Sequence, residues 1–278
     1  MPAARYPGWM IRGTRTLAVT AVLCAVALLA EGLVSLGAAG AHSLDARTLA
    51  AFMALRSSHH LSELASVVAG WTPAVVAAAA AALTAAALLQ RRRAVALAVA
   101  VAIGGSVACA ELLKRILAEP RPTPVLGFHQ MAAASWPSGH ATAAMVTLLC
   151  ALLVAAPRLR PVVAMAGGAG VLLVGCSMLV LGHHFPSDIL GGYLLAGLWM
   201  ALTLCVLRRR QRAQARVPIG RPAAAIVGSA LAALAAAAAL GALGVPVGGA
   251  LLAATATLAL VAATLSGGML AALRSQRL

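Results

Sequence analysis

Three short patches of this chain combine residue types and spacing that suit proton or phosphoryl chemistry. The stretch Ser177–Asp188, SMLVLGHHFPSD, ends a long apolar run and then places His183, His184, Pro186 and Asp188 within six residues. His184 and Asp188 are four apart, so a helical turn puts them on one face. A carboxylate bonded to one imidazole nitrogen fixes the tautomer and leaves the other nitrogen free to attack or to bind a metal. Pro186 suits the start of a helix, with Asp188 in its first turn. A solvated interfacial pair is the alternative reading of the same residues.

The second patch is Lys114–Pro122, KRILAEPRP. Lys114 is the single lysine in a chain that otherwise takes every positive charge from arginine. Lysine is a compact point charge with rotatable donors, whereas arginine is a planar fork. Pro120 breaks any helix here and would bend Arg121 towards the pocket of Lys114. Two such cations suit a phosphate; an interfacial cluster gripping lipid headgroups is the alternative. The third patch is Trp136–His140, WPSGH, ahead of an apolar run. Ser138 is placed to cap a helix, Gly139 lets backbone approach a ligand, and the helix start favours an anion. His140 in the first turn can exchange a proton near neutral pH. A plain cap with an incidental histidine is the alternative.

The elements that must position these patches follow from composition. The chain has 278 residues, 62% hydrophobic and only 10% charged, well below the ~25% of a soluble domain. Its apolar runs are long and do not alternate, so they read as transmembrane helices, for which ~20 residues suffice. Eight segments can be marked, near 16–36, 72–89, 94–113, 139–156, 161–181, 188–207, 223–243 and 250–270. The expected fold is an all-α polytopic bundle, with a six-span core and a C-terminal two-span hairpin. We divide it into 1–71 (first span and outer surface segment), 72–207 (the core with the three patches) and 208–278 (basic linker and hairpin). The stretch 42–66 is expected to lie as a surface helix, 114–137 as a loop, and 223–243 to pack through small residues. The five cysteines show no CxxC spacing and read as packing residues.

The net charge of +15 is not a nucleic-acid signal, because the basic residues sit in short clusters between apolar runs. With the N-terminus inside, 16 of the 21 basic residues fall on the inner side, while all six acids and all seven histidines fall on the outer side or its helix ends. That is the positive-inside pattern. It places both termini in the cytoplasm and all three patches on the outer face. The first apolar run is too long for the core of a cleavable signal and reads as an uncleaved span.

With the patches on one face, a cation pair, an anion-binding helix start, a proton-transfer histidine and an oriented histidine come together. These are the parts of phosphoryl transfer through a covalent histidine intermediate. The residues also resemble a known family. Lys114–Pro122 matches the K-x6-R-P motif of the type 2 phosphatidic-acid phosphatase superfamily, Pro137–His140 matches its P-S-G-H motif, and Ser177–Asp188 resembles its S-R-x5-H-x3-D motif. The match covers roughly 70–207. The resemblance implies that His184 attacks phosphorus, Asp188 orients it and His140 protonates the leaving oxygen. It implies that Lys114, Arg121, Ser138 and the Gly139 amide hold the phosphate, that no metal or other cofactor is needed, and that the substrate is a membrane lipid phosphate. It suggests the bacterial branch, in the inner membrane.

One position departs: Met178 stands where the family has arginine. One charge-assisted hydrogen bond to the phosphate is lost, about 1.5–3 kcal/mol. Arg115 and His183 are the candidate substitutes, but Arg115 should point about 100° from Lys114 on a helix. Three rival readings follow from the same residues. A metal hydrolase would use His140, His183, His184 and Asp188, but there is no HExxH and adjacent histidines are awkward ligands for one ion. A lipid-binding or transport relative would tolerate Met178. A phosphotransferase would share the first half-reaction.

Overall fold

The computed structural model describes residues 8–37, 39–121, 126–127, 132–212 and 249–274. Among them the chain is all-α and contains no strand. The helices are α1 (Gly8–Gly37), α2 (Ala39–Met53), α3 (His59–Leu89), α4 (Arg93–Ile116), α5 (Gly139–Val154), α6 (Arg160–Val180), α7 (Pro186–Arg212) and α8 (Gly249–Arg274). Six of these are long and apolar enough to cross a bilayer. They correspond to the first six expected segments. The eighth expected segment lies on α8, and the seventh, 223–243, lies outside the described residues.

The polar stretch 42–66 is not one surface helix. It is divided between α2, a 3-10 turn at Ala54–Ser57 and the first turns of α3, which continues through Pro73 to Leu89. Pro73 removes one backbone donor, and just before it the Thr72 hydroxyl donates to the Val68 carbonyl at 2.6 Å. One lost bond inside an apolar span does not stop a helix that neighbouring groups can satisfy. The span is therefore longer at its N-terminal end than the apolar run alone implies.

α5 is the most buried of the six spans and packs against α3, α4, α6 and α7. Its two ends are held differently. At the C-terminal end Arg92 donates to the carbonyls of Leu153 and Val154 at 3.3 and 3.5 Å, and Arg160 donates to the Ala155 carbonyl at 3.2 Å. Cations there satisfy orphan carbonyls and complement the helix dipole. The basic clusters 91–93 and 158–160 thus meet at one end of the bundle. The ends of α4 and α6 and the starts of α5 and α7 form the other end.

Close helix approach depends on glycine at two neighbouring positions of α7. A Cβ on Gly192 would lie 2.7 Å from the Ser138 carbonyl oxygen and 3.0 Å from Ala141 Cβ. A Cβ on Gly191 would lie 2.6 Å from Trp136 Nε1. Gly192→Ala should therefore lower the melting temperature in detergent, because overpacking costs about 1–3 kcal/mol. Gly104→Ala meets nothing within 4 Å and should leave it unchanged or raised, since alanine is the better helix former. Equal melting temperatures for the two variants would remove this account of the α5–α7 crossing.

Candidate active site

Three backbone devices bring the histidines to the polar end of the bundle. First, α6 is stopped by Gly182 at φ +67°. The Gly182 N–H donates to the Leu179 carbonyl at 3.0 Å and the His183 N–H to the Met178 carbonyl at 2.9 Å, the pattern of a Schellman end that needs a left-handed residue. Second, α7 starts at Pro186, with Phe185 before it. Asp188 reaches back to accept the Phe185 N–H on Oδ2 at 2.9 Å, which is the reciprocal half of a capping box. His184 therefore lies in the reversal between two helices, not on a helical turn with Asp188. The pairing still forms: His184 Nδ1 stands 3.5 Å from Asp188 Oδ2. Nδ1 is buried and has no hydrogen-bond partner among the described residues. Third, Ser138 caps α5, accepting the Ala141 N–H on Oγ at 3.4 Å. Its own N–H donates to the Asp188 carbonyl at 2.8 Å, which ties the start of α5 to the start of α7.

His140, in the first turn of α5, is within electrostatic range of His184, Lys114, His183 and Glu111. Lys114 lies in the last turn of α4 and pairs with Glu111 at 2.7 Å. A Cβ on Gly139 would lie 2.7 Å from Glu111 Oε1 and 3.0 Å from Lys114 Nζ, so this ion pair sits directly against the α5 start. His183 is exposed beside the buried His184. Met178 is fully buried in the apolar core and Arg115 is exposed on the last turn of α4.

Arg121 is brought to the same end but is held by protein acceptors. Its side chain is 2% exposed. Nη2 donates to Asp188 Oδ1 at 2.5 Å and to Ser135 Oγ at 2.6 Å, and Nη1 donates to Ser187 Oγ at 3.3 Å. The guanidinium lies over the Phe185 ring, 4.4 Å from its centroid. Pro120 follows the end of α4 at Ile116, so Lys114 and Arg121 do not share a helical face. Among the described residues, no three His, Cys, Asp or Glu side chains cluster as metal ligands.

Two site-lining carboxylates were not identified from the sequence. Glu31 of α1 accepts the indole N–H of Trp136 on Oε2 at 2.8 Å. The Trp136 ring sits between Gly32 of α1 and Gly191 of α7, where a Cβ would collide with it. Asp45 of α2 accepts both donors of Ser187, the backbone N–H at 3.2 Å and the hydroxyl at 2.5 Å. It also stands 3.9 Å from Arg121 Nη1. The signal available for both was an acid beside an apolar run, which is costly without a partner.

Burial pushes the Asp45 carboxyl up to about 6, with Asp188 adding to the shift and Ser187 and Arg121 opposing it. A raised carboxyl contributes its full stability below the ordinary value near 4 and loses it as pH rises through about 6. The loss is on the order of 3 kcal/mol. Asp45→Asn cannot ionise. Its melting temperature relative to wild type should therefore climb between pH 4.5 and 7, measured by thermal unfolding in detergent. A constant difference across that range would refute the assignment.

No curated protein and no solved structure gives a significant match to the chain. The family model described as PAP2 superfamily matches residues 93–212. That segment holds Lys114, Arg121, Ser138, Gly139, His140, His184 and Asp188, and over it the chain is similar to the PAP2 superfamily.

Proposed function

We propose that the protein is a membrane lipid phosphatase that hydrolyses a phosphomonoester or diphosphate through a phosphohistidine on His184. The observation that carries this reading is the placement of His140 near His184, with a carboxylate behind one and an ammonium beside the other. With its proton on Nδ1, facing Asp188, His184 presents the Nε2 lone pair to phosphorus. The N–P bond forms as the P–O bond to the lipid breaks, and His140 gives its proton to the leaving oxygen. Water then attacks the phosphohistidine, His140 takes a proton from it, the N–P bond breaks and inorganic phosphate leaves. The free amides at the start of α5 and Lys114 neutralise the phosphoryl oxygens. Arg121 contributes charge from behind Asp188.

Phosphatidic acid, phosphatidylglycerol phosphate and polyprenyl phosphates or diphosphates are the substrates this site suits, because its polar groups gather at one end of an apolar bundle. The basic clusters at the opposite end favour a cytoplasmic location for that end and an outward-facing site, as in a bacterial inner membrane. Met178 supplies no charge where the resemblance has arginine, and the missing hydrogen bond, about 1.5–3 kcal/mol, favours slow turnover. It also keeps a second reading open, a lipid-binding relative without catalysis.

The purified protein in detergent should release phosphate from phosphatidic acid or undecaprenyl diphosphate. His184→Ala should abolish release, and His140→Ala should slow it about 10²-fold or more. Absence of release from every lipid phosphate offered would sink the hydrolase reading and favour the second one. Equal release by wild type and His184→Ala would remove His184 as nucleophile. Transfer of the phosphoryl group to an added lipid alcohol instead of water would identify a phosphotransferase.

A further inference from the structure

The groups assigned to the reaction lie within residues 93–212, yet two carboxylates, the half-buried Glu31 and the buried Asp45, reach them from helices outside that segment. Glu31 meets the loop before α5 through Trp136. Asp45 meets the start of α7. The second contact has the clearer consequence for the chemistry. Ser187 immediately precedes Asp188 and is the second residue of α7. Its N–H is one of the donors a helix start leaves without an internal partner, and Asp45 satisfies it from another helix. Asp45 also accepts the Ser187 hydroxyl, which in turn accepts from Arg121 Nη1. The other terminal nitrogen of Arg121 holds Asp188 Oδ1. Ser187, Arg121 and Asp188 thus close a ring through the peptide bond between 187 and 188, and Asp45 braces it at Ser187 and, at 3.9 Å, at Arg121 Nη1. Asp188 Oδ2, which also accepts the Phe185 N–H, faces His184.

We infer that Asp45 is a positioning residue of the active site, fixing Ser187 and, through Ser187 and Arg121, the orientation of Asp188 that faces His184. The role rests on the phosphatase reading. It makes α2 part of the positioning apparatus and not only a covering for the bundle. Asp45 meets Arg121 on the side away from Asp188 and has no contact with Lys114 or the α5 start, the groups proposed to neutralise the phosphoryl oxygens, so its loss acts on the chemical step and leaves substrate binding in place. Its coupling to Ser187 is also specific: once one partner of the pair is gone, removing the other adds little.

The test uses the full chain in detergent with phosphatidic acid. Asp45→Ala and Ser187→Ala should each lower kcat about tenfold, in line with the sensitivity of rate to small misplacements, with KM within about twofold of wild type. The double variant should fall no more than about twofold below the weaker single variant. Asp45→Asn keeps the volume and one acceptor, so it guards against simple misfolding and should lie between wild type and Asp45→Ala. Wild-type kcat in Asp45→Ala, a loss expressed in KM, or multiplied losses in the double variant would each overturn the role. A second measurement does not need turnover. With 15N-histidine labelling, the ring signals of His184 should change tautomer balance in Asp45→Ala and not in Leu44→Ala, its exposed neighbour. If wild type releases no phosphate, the hydrolase reading fails and this spectrum alone decides the positioning. An unchanged His184 signal in Asp45→Ala refutes it.

Discussion

The polar end of the bundle depends on one buried ion pair, Arg121 with Asp188. The two side chains are 2% and 0% exposed. Removing both charges from water is expensive, and their attraction compensates only if the remaining donors and lone pairs are also used. Here they are. Asp188 accepts from Arg121 and from the Phe185 N–H and faces His184; Arg121 also donates to Ser135 and Ser187 and stacks on Phe185. Breaking such a pair by removing one partner costs about 3–5 kcal/mol, so the local chain paths are fixed by it. The loop after α4, the turn before α5 and the start of α7 meet because this pair requires all three.

Under the proposed function, the same pair separates two tasks of the site's cations. Lys114, beside Gly139 and only part-buried, stands where an anion at the α5 start would lie. Arg121 faces inward and orders the carboxylate behind His184. A mobile ammonium and a planar, multiply bonded guanidinium suit those positions respectively. The single lysine of the chain therefore has a physical reason to be a lysine. Met178 belongs to neither group, and its side chain is core.

Much of this was legible in the sequence because the signals are local. Apolar run length gave the spans, and Pro186 with Asp188 gave the start of α7. The Ser138 cap followed from residue type ahead of an apolar run. Gly182 was equally legible as a helix stop, two residues before His184, although it was passed over. The contributions of Glu31 and Asp45 were not legible, because their partners Trp136 and Ser187 lie 105 and 142 residues away in the chain. An acid near an apolar run announces that a partner exists, not which one. The α3 start was missed for a related reason: polar residues at 59–66 and a proline at 73 look like an interruption, whereas a helix needs only satisfied backbone bonds to continue.

The indole of Trp136 is wedged between Gly32 and Gly191 and hydrogen-bonded to Glu31. It is 4% exposed, whereas Trp71 on α3 is 66% exposed. The protein therefore carries a built-in optical gauge at the junction of α1, α5 and α7. Any movement that parts these helices removes a carboxylate from one particular chromophore and changes the polarity around it. Light emission from that residue follows the assembly of the polar end separately from the exposed surface.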